Sequence, residues 1–147
     1  MDNAFEFVMD YGITSQEIYE YRGRKRRCKK SKRDQPVARI SGYQTVAPYS
    51  SNALKAALMK GPVSVAVQAN QHAFMYYSGG VVDYGCDYDL NHGVLAVGYD
   101  SNEGYYIVKN SWGEYWGDKG YIKLGITEGP GVCGIQLMSS YPTINSS

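Results

Sequence analysis

A change in apolar periodicity at Gly61-Pro62 constrains the fold of this chain more than any other feature. Beyond this dipeptide, Val63, Val65 and Val67 alternate with serine, alanine and glutamine, which is the period of a β-strand. Further short apolar runs, separated by glycine-rich turns, cover 92–99, 105–109, 120–124 and 135–138. Short strands at such intervals predict an antiparallel sheet that closes toward a barrel.

The sequence before Gly61 has a different pattern. Residues 2–12 and 51–60 carry apolar side chains at helical spacing, and a glycine follows or ends each segment. We expect Asp2 to cap the first helix and Ser50 or Ser51 to cap the second. Residues 13–40 lack strong periodicity, which predicts an irregular loop that ends near Arg39-Ile40.

Composition is that of an ordinary globular protein. The 147 residues are 44% hydrophobic and 20% charged, which is enough to bury a core and too apolar for a disordered chain. No apolar run approaches the roughly eighteen residues of a membrane helix, so we expect no membrane partner. The N-terminal sequence, which begins with residues 1–4, lacks the basic stretch and following apolar core of a signal peptide, so we expect no signal peptide here. We also expect no metal and no other cofactor.

Residues 22–33 contain nine lysines and arginines and no acidic residue, although the whole chain has a formal net charge of only +1. Such a run is typical of a contact with nucleic acid or an acidic surface, or of a cleavage site for proteases that cut after basic residues. The alternative is a solvated loop that balances an acidic body. We favour the loop and expect no nucleic-acid partner, because no aromatic residue interrupts the run and no recognition helix frames it.

The two histidines have different sequence surroundings. His72 lies in a polar stretch that predicts a surface turn or short helix, whereas His92 opens a strongly apolar strand, where a polar group needs a partner. If strands 92–99 and 105–110 pair as a hairpin, His92 lies near Asn110. An amide oxygen there would fix the imidazole tautomer and aim its other nitrogen at a nucleophile. A hydrogen-bonded structural histidine is the alternative.

Several motifs, in order along the chain, resemble those of papain-like cysteine proteases, most closely the cathepsin L-like group. The histidine motif is LNHGVLAVGY at 90–99, and the asparagine motif is YIVKNSWG at 106–113 with WG at 116–117 and GY at 120–121. Further similar segments lie at 61–66, 77–81, 132–135 and 140–143. The resemblance implies an α+β fold, mainly the antiparallel β-barrel (right) domain with a remnant of the helical (left) domain.

The resemblance also implies a division of the chain and of the catalytic machinery. Residues 1–40 would be the remnant of the left domain with the basic loop, and 41–147 the barrel domain that carries the histidine and the asparagine. The family nucleophile is a cysteine in a Cys-Gly-Ser-Cys-Trp segment, which this sequence does not contain. We therefore expect the C-terminal two-thirds of a cysteine endopeptidase, with His92 as general base and Asn110 as its orienting residue, inactive alone. The alternative is a non-catalytic truncated paralogue that acts as a binding or structural subunit.

By the same resemblance, five residues would contact a peptide or protein substrate: Ala66, Leu90, Gly93, Trp112 and Met138. Ala66, Leu90 and Met138 would line the pocket for the second residue on the acyl side, and their apolar character implies a preference for aliphatic or aromatic side chains. Trp112 would wall the leaving-group side. For Met138 and Trp112, core packing is the alternative role or an additional one.

The cysteine count is three, so at least one cannot pair within the chain. The resemblance implies a disulfide between Cys86 and Cys133, and a partner for Cys28 in a Cys-bearing N-terminal protease segment. Two reduced thiols are the alternative to the disulfide. The disulfide and the family imply a lysosomal or secreted protein, and 145–147 match the N-glycosylation pattern. Because the helix at 2–12 would lack its packing partner, we expect self-association or binding to another protein.

Overall fold

The computed structural model describes residues 1–144 and divides them into two compact units. The first unit contains residues 1–44 together with 142–144, and the second runs from Thr45 to Tyr141. The N-glycosylation pattern at 145–147 lies outside the described residues. The grouping of residues into compact units does not test the predicted domain boundary between residues 40 and 41. That boundary stays a prediction.

The first unit holds α1 (Asp2–Tyr11), α2 (Lys30–Arg33) and the beginning of β1 (Gly42–Thr45). The expectation that Asp2 caps α1 is wrong, because Met1 is the N-cap residue and makes no side-chain capping bond. Asp2 instead lies in the first turn, where a carboxylate interacts favourably with the helix dipole.

Gly12 ends α1, as the sequence predicts. Its φ of 74° is in the left-handed region, and its amide donates to the carbonyl of Val8 at 2.9 Å. A Cβ at this position would lie 2.5 Å from Cβ of Pro36 and 2.8 Å from the carbonyl oxygen of Ala38, so both the conformation and the space require glycine. Ile13 then pairs with Ala38 in an antiparallel bridge, which ties the two ends of the following loop together.

The second unit is built from a sheet, short helices and one helix of eight residues. Its elements are α3 (Ser51–Leu58), β2 (Val63–Val67), α4 (His72–Met75), β3 (Val81–Val82), β4 (His92–Asp100), β5 (Tyr105–Lys109), β6 (Tyr121–Gly125), a 3₁₀ helix (Val132–Gly134) and β7 (Ser139–Thr143), which begins in this unit. The strand order is β7-β2-β4-β5-β6-β3, with every neighbouring pair antiparallel except β6 and β3. This α+β architecture is the expected one. Among residues 1–144, no helix has the length and apolar character needed to cross a bilayer.

Two sequence expectations about this sheet are wrong in detail. The sheet is mixed, because Val81–Val82 pairs in parallel with β6 through a long connection, and short apolar runs do not reveal strand direction. Residues 135–138 are not a strand, and β7 begins only at Ser139. Ile135 is fully buried in a turn, and a short buried apolar run has the same appearance in sequence in a strand or a turn.

The core of the second unit follows the alternation of its strands. Val63, Val65 and Val67 are fully buried, while the residues between them are half-buried. Leu54 of α3 belongs to the same core, and this helix begins where Ser50 accepts a hydrogen bond from the amide of Ala53 at 3.1 Å. Odd positions of β2 and even positions of β5 therefore face the interior. Even positions of β4 do so up to the bulge between Ala96 and Gly98, beyond which Tyr99 packs against the core.

Candidate active site

His92 and Asn110 form a hydrogen-bonded pair at the ends of two neighbouring strands. Nε2 of His92 lies 2.8 Å from Oδ1 of Asn110. His92 is half-buried, and Asn110 is 8% exposed. An imidazole held from one side in this way keeps its ring orientation, and its other nitrogen, Nδ1, is available for a second interaction.

A backbone donor determines which tautomer His92 adopts when it is neutral. Oδ1 of Asn110 also accepts a hydrogen bond from the amide N–H of Ser111 at 2.8 Å. Because a backbone amide can only donate, the amide atom facing it must be oxygen, and this atom can only accept from His92. Neutral His92 therefore carries its proton on Nε2, and Nδ1 is the nitrogen able to take a proton.

Strand alternation explains why the two side chains meet. Val94 and Ala96 of β4, and Val108 of β5, are buried on the interior face of the sheet. His92 lies on the same face as Val94, and Asn110 on the same face as Val108. In each case the two positions differ by two, and side chains at i and i+2 share one face of a strand. The hairpin of β4 and β5 joins the two strands, with Leu95 opposite Lys109, and brings their outer ends together.

Hydrogen bonds with the backbone hold both ends of this arrangement. The side chain of Asn91 accepts from the amide of Ala69 at 2.9 Å, and the amide of Asn91 donates to the carbonyl of Val67 at 3.1 Å. On the other strand, the amide of Asn110 donates to the carbonyl of Gly120 at 3.0 Å. The glycine-rich loop at 113–120 is therefore attached directly to the pair.

Aromatic rings surround the pair. Trp112 lies 5.1 Å from His92 between ring centroids, and Phe74 lies 5.7 Å from Trp112 in an edge-to-face arrangement. Trp116 lies 5.4 Å from Phe74, and its indole N–H donates to the carbonyl of Met75 at 2.9 Å. These contacts attach α4 to the loop after β5 and give the pair an apolar surround on that side.

His92 opens onto a cleft of about 460 Å³. The residues that line it are Ala69, Asn70, Met75, Asn91, His92 and Trp112. Of these, His92 and Trp112 were expected at a functional site. Sequence reasoning missed Phe74, which packs beneath the cleft, because α4 has four residues and is too short to show helical periodicity.

The expected substrate-pocket residues lie on adjacent segments. Ala66 of β2 is opposite Gly93 of β4, and the amide of Ala66 donates to the carbonyl of Met138 at 2.9 Å. Met138 is 53% exposed, which leaves room for a contact with another molecule. Leu90 is half-buried beside the 3₁₀ helix, where a Cβ on Gly134 would lie 2.7 Å from Cδ2 of Leu90.

The structure pairs Cys86 with Cys133 in a disulfide and leaves Cys28 as a free, exposed thiol in the first unit. The disulfide connects the loop before β4 to the 3₁₀ helix, and Cys133 is fully buried. Residues 1–144 contain no group of three histidine, cysteine, aspartate or glutamate side chains placed to hold a metal ion. The imidazole of His92, held in one orientation beside an open cleft, is suited to proton transfer.

The sequence profile of the family described as "Papain family cysteine protease" matches residues 1–143. The chain belongs to the papain family of cysteine proteases. The relatives agree with this assignment. Thiol protease SEN102 from Hemerocallis sp. is 41% identical over 152 residues, which cover 100% of this chain and 42% of that protein. Vignain from Vigna mungo is 42% identical over 153 residues, again with 100% and 42% coverage.

Solved papain-family structures share the fold. Bromelain from Ananas comosus, solved in complex with the E64 inhibitor, superposes with a TM-score of 0.89 at 41% identity and covers 98% of this chain and 69% of that one. The proform of Amb a 11, a ragweed pollen cysteine protease, gives a TM-score of 0.92 at 36% identity, with 100% and 47% coverage. This chain thus spans 42% of the length of the two curated relatives named above.

Proposed function

We propose that this chain supplies the general base and the orienting amide of a papain-like cysteine endopeptidase. Nδ1 of His92 takes the proton of a cysteine thiol, and the thiolate attacks the carbonyl carbon of the scissile peptide bond. The imidazolium then donates that proton to the leaving amine as the carbon–nitrogen bond breaks, and water hydrolyses the acyl-enzyme. The observation that carries the proposal is the 2.8 Å hydrogen bond between Nε2 of His92 and Oδ1 of Asn110. The amide N–H of Ser111 donates to the same Asn110 atom, which identifies that atom as oxygen.

The nucleophile in this proposal comes from a segment outside these 147 residues. Cys86 and Cys133 are bonded to each other, and Cys28 lies in the basic run at 22–33 without the sequence surroundings of the family nucleophile. We assign the thiol to a segment that carries the Cys-Gly-Ser-Cys-Trp motif, whether in the same polypeptide or in another one. The 147 residues alone are then inactive.

An unpaired buried amide supports the need for such a segment. Nδ2 of Asn110 is buried and has no hydrogen-bond partner among residues 1–144. Buried polar atoms are nearly always hydrogen-bonded in native structures. An acceptor from the Cys-bearing segment would satisfy this atom and would stabilise the orientation in which Oδ1 faces His92.

The first unit supports the same conclusion through its apolar surface. α1 has no buried residue, and Phe7 and Ile13 are 45% and 52% exposed. An apolar cavity of about 420 Å³ lies beside them and is lined in part by Ala4 and Val8. Apolar surface of this kind is typical of a protein interface. We assign the Cys-bearing segment as its occupant, because the family relatives are longer than this chain.

The proposed substrate is a peptide with an aliphatic or aromatic second residue on the acyl side. Ala66, Leu90 and Met138 would form the apolar pocket for it, Gly93 would leave space for the peptide backbone, and Trp112 would bound the leaving-group side. A lysosomal or secreted setting is part of the proposal and is supported by the Cys86–Cys133 disulfide.

The test is a chimera in which the Cys-bearing N-terminal segment of bromelain precedes this chain. We expect it to hydrolyse a fluorogenic dipeptidyl substrate with an apolar second residue, whereas the 147-residue chain shows no turnover. His92→Ala in the chimera should abolish activity, and the matched variant His72→Ala, at an exposed position of α4, should retain it.

Two results would contradict the proposal. Turnover by the 147-residue chain alone that is lost in His92→Ala would show that the nucleophile lies within it. A folded chimera without activity would instead favour a non-catalytic binding or structural subunit. Circular dichroism and a cooperative thermal transition distinguish a folded inactive chimera from a misfolded one.

A further inference from the structure

The basic segment, residues 22–33, has no role in the proposed proteolysis. It begins as irregular chain and ends in the single turn of α2. Residues 22–31 are all exposed, and the nine cations of the segment have no acidic residue among them. Mutual repulsion between so many like charges opposes folding, so the arrangement needs an explanation beyond solubility.

The cationic side chains converge on a concave surface. A cavity of about 290 Å³ opens among them. Six cations line it: Arg22, Arg24, Arg26, Arg27, Lys29 and Lys32. A solvated loop would direct its charges away from one another, whereas here one concavity concentrates them and raises the local positive potential.

Most of this charge has no partner within the described part of the chain. Arg22 forms an ion pair with Glu20 at 2.6 Å, and both side chains are more than half exposed. Lys32 donates to the carbonyl of Ile18 at 2.7 Å, which is a contact without a countercharge. Arg24, Arg26 and Arg27 form no ion pair with residues 1–144.

Contacts with the preceding turn hold the concave shape. The amide of Lys29 donates to the hydroxyl of Tyr19 at 3.1 Å, and the side chain of Lys32 reaches Ile18 in the same turn. Tyr19 is itself fixed by its amide, which donates to the carbonyl of Ser15 at 2.9 Å. These contacts preorganise the base of the cavity. The protein therefore loses less conformational entropy when a ligand binds.

We propose that the basic segment binds a linear anionic polysaccharide that carries carboxylate or sulfate groups. Arginine predominates among the cations lining the cavity, and its planar guanidinium pairs with both kinds of oxyanion through two parallel hydrogen bonds. The Cys86–Cys133 disulfide supports an oxidising setting for this contact.

Other polyanions fit this surface less well. Single-stranded nucleic acid stacks successive bases on several aromatic side chains. Two tyrosines line this cavity, and Tyr19 is half-buried with its hydroxyl bonded to Lys29, so Tyr21 is the single exposed ring among the lining residues. The core of a protein–protein interface is depleted in charged residues, whereas the residues that line this cavity are mostly cationic. These two classes are therefore outcomes of the test.

The test measures binding of the 147-residue chain by isothermal titration calorimetry. The ligands are a heparin oligosaccharide, an oligogalacturonate, a single-stranded oligonucleotide and a polyglutamate peptide, all of equal charge. We expect one or both polysaccharides to bind most tightly, and the heparin and galacturonate arms distinguish sulfate from carboxylate recognition. Raising the salt concentration should weaken binding, as it does for other polyanion contacts.

Two matched double variants separate a defined site from general charge. Arg26→Gln with Arg27→Gln should weaken polysaccharide binding by at least about tenfold, because two charge-assisted contacts are lost. Lys109→Gln with Lys119→Gln removes the same charge at exposed positions of the second unit and should change affinity by no more than about twofold. Arg26→Lys with Arg27→Lys keeps the charge, so its affinity should fall between wild type and the glutamine variant.

Any of three results would overturn the proposal. These are no binding of either polysaccharide, tighter binding of the oligonucleotide or of polyglutamate, and equal weakening by the two glutamine variants. The arginine substitutions lie on exposed, irregular chain, so circular dichroism spectra should be unchanged. A catalytically inactive chimera would leave this binding intact, so the two proposals fail independently.

Discussion

The ring of Trp112 lies 5.1 Å from the ring of His92, at an angle of 32°. Trp112 is 43% exposed, so one part of the indole packs beside the imidazole while the remainder faces the cleft. An aromatic ring in this position excludes water from the imidazole and strengthens the electrostatic part of its hydrogen bond with Asn110.

Replacement of Trp112 tests this relationship. In the active chimera we expect Trp112→Ala to lower kcat/KM by about tenfold or more, because water then competes for the His92–Asn110 bond. Trp112→Phe keeps an aromatic ring and should retain most of the activity. Steady-state kinetics with the dipeptidyl substrate check the prediction, and equal activities of the two variants would contradict it.

Asn110 is predicted to act through orientation of the imidazole. Asn110→Ala in the chimera removes the only oxygen seen to accept from Nε2 in the described structure, and kcat should fall by about 10- to 100-fold. KM should change little, because Asn110 is buried and does not line the cleft. A pH profile of kcat/KM separates this role from a structural one. If only stability changed, the shape of that profile would be the same as in wild type.

Phe74 is predicted to support the site from below. Its ring is fully buried and contacts Trp112 and Trp116. Phe74→Ala should reduce the free energy of unfolding by about 3–5 kcal/mol, because it leaves a cavity among these rings. Tyr76→Ala, at a 67% exposed position one residue beyond α4, should cost no more than about 0.5 kcal/mol. Urea denaturation measures both, and comparable losses would show that Phe74 has no special packing role.

The Cys86–Cys133 disulfide is predicted to be a major source of stability. It closes a sequence separation of 47 residues, so the double variant Cys86→Ser with Cys133→Ser should lose about 4 kcal/mol in the free energy of unfolding. Cys28→Ser is the control, since Cys28 is exposed and unbonded in the structure. Denaturation without reductant checks the prediction, and an unchanged midpoint in the double variant would show that the bridge does not limit unfolding.

Tyr106 is predicted to make stability depend on alkaline pH. Burial raises the pKa of its phenol, with a smaller contribution from Glu128, and its hydroxyl donates to Oε1 of Gln136 at 2.9 Å. In the unfolded chain the phenol ionises near pH 10. The folded protein keeps its proton above that pH, so the contribution of Tyr106 is complete below about pH 10 and decreases above it by about 1.4 kcal/mol per pH unit.

Tyr106→Phe isolates this effect. The variant should be less stable at pH 8 by about 1–3 kcal/mol, because Gln136 loses a buried partner. The difference from wild type should shrink as the pH rises from 10 to 11. Urea midpoints at pH 8 to 11 measure both quantities. A difference that stays constant over this range would mean that the Tyr106 phenol ionises equally easily in both states.

Much of the second unit could be predicted because local patterns carry the information. Val63–Val67 and Tyr105–Lys109 are strands with the expected bounds, since valine alternation and β-branched residues act within a few neighbours. The proximity of His92 to Asn110 was also predictable, because a short hairpin places strand ends together. The start of β7 was not predictable, since the buried turn at Ile135 has the apolar character of a strand.

Local patterns in the sequence predict strands β2, β4, β5 and β6, the end of α1 at Gly12, the start of α3 at Ser50 or Ser51, and the pair of polar residues at one hairpin end. These depend on backbone preference and side-chain period, which act over a few residues. Three features follow from tertiary contacts alone: the parallel pairing of β3 with β6, the packing of Phe74 against Trp112 and the concave arrangement of the basic segment. Each of these features depends on contacts between residues distant in sequence. A pattern of neighbouring residues does not contain the energies of such contacts.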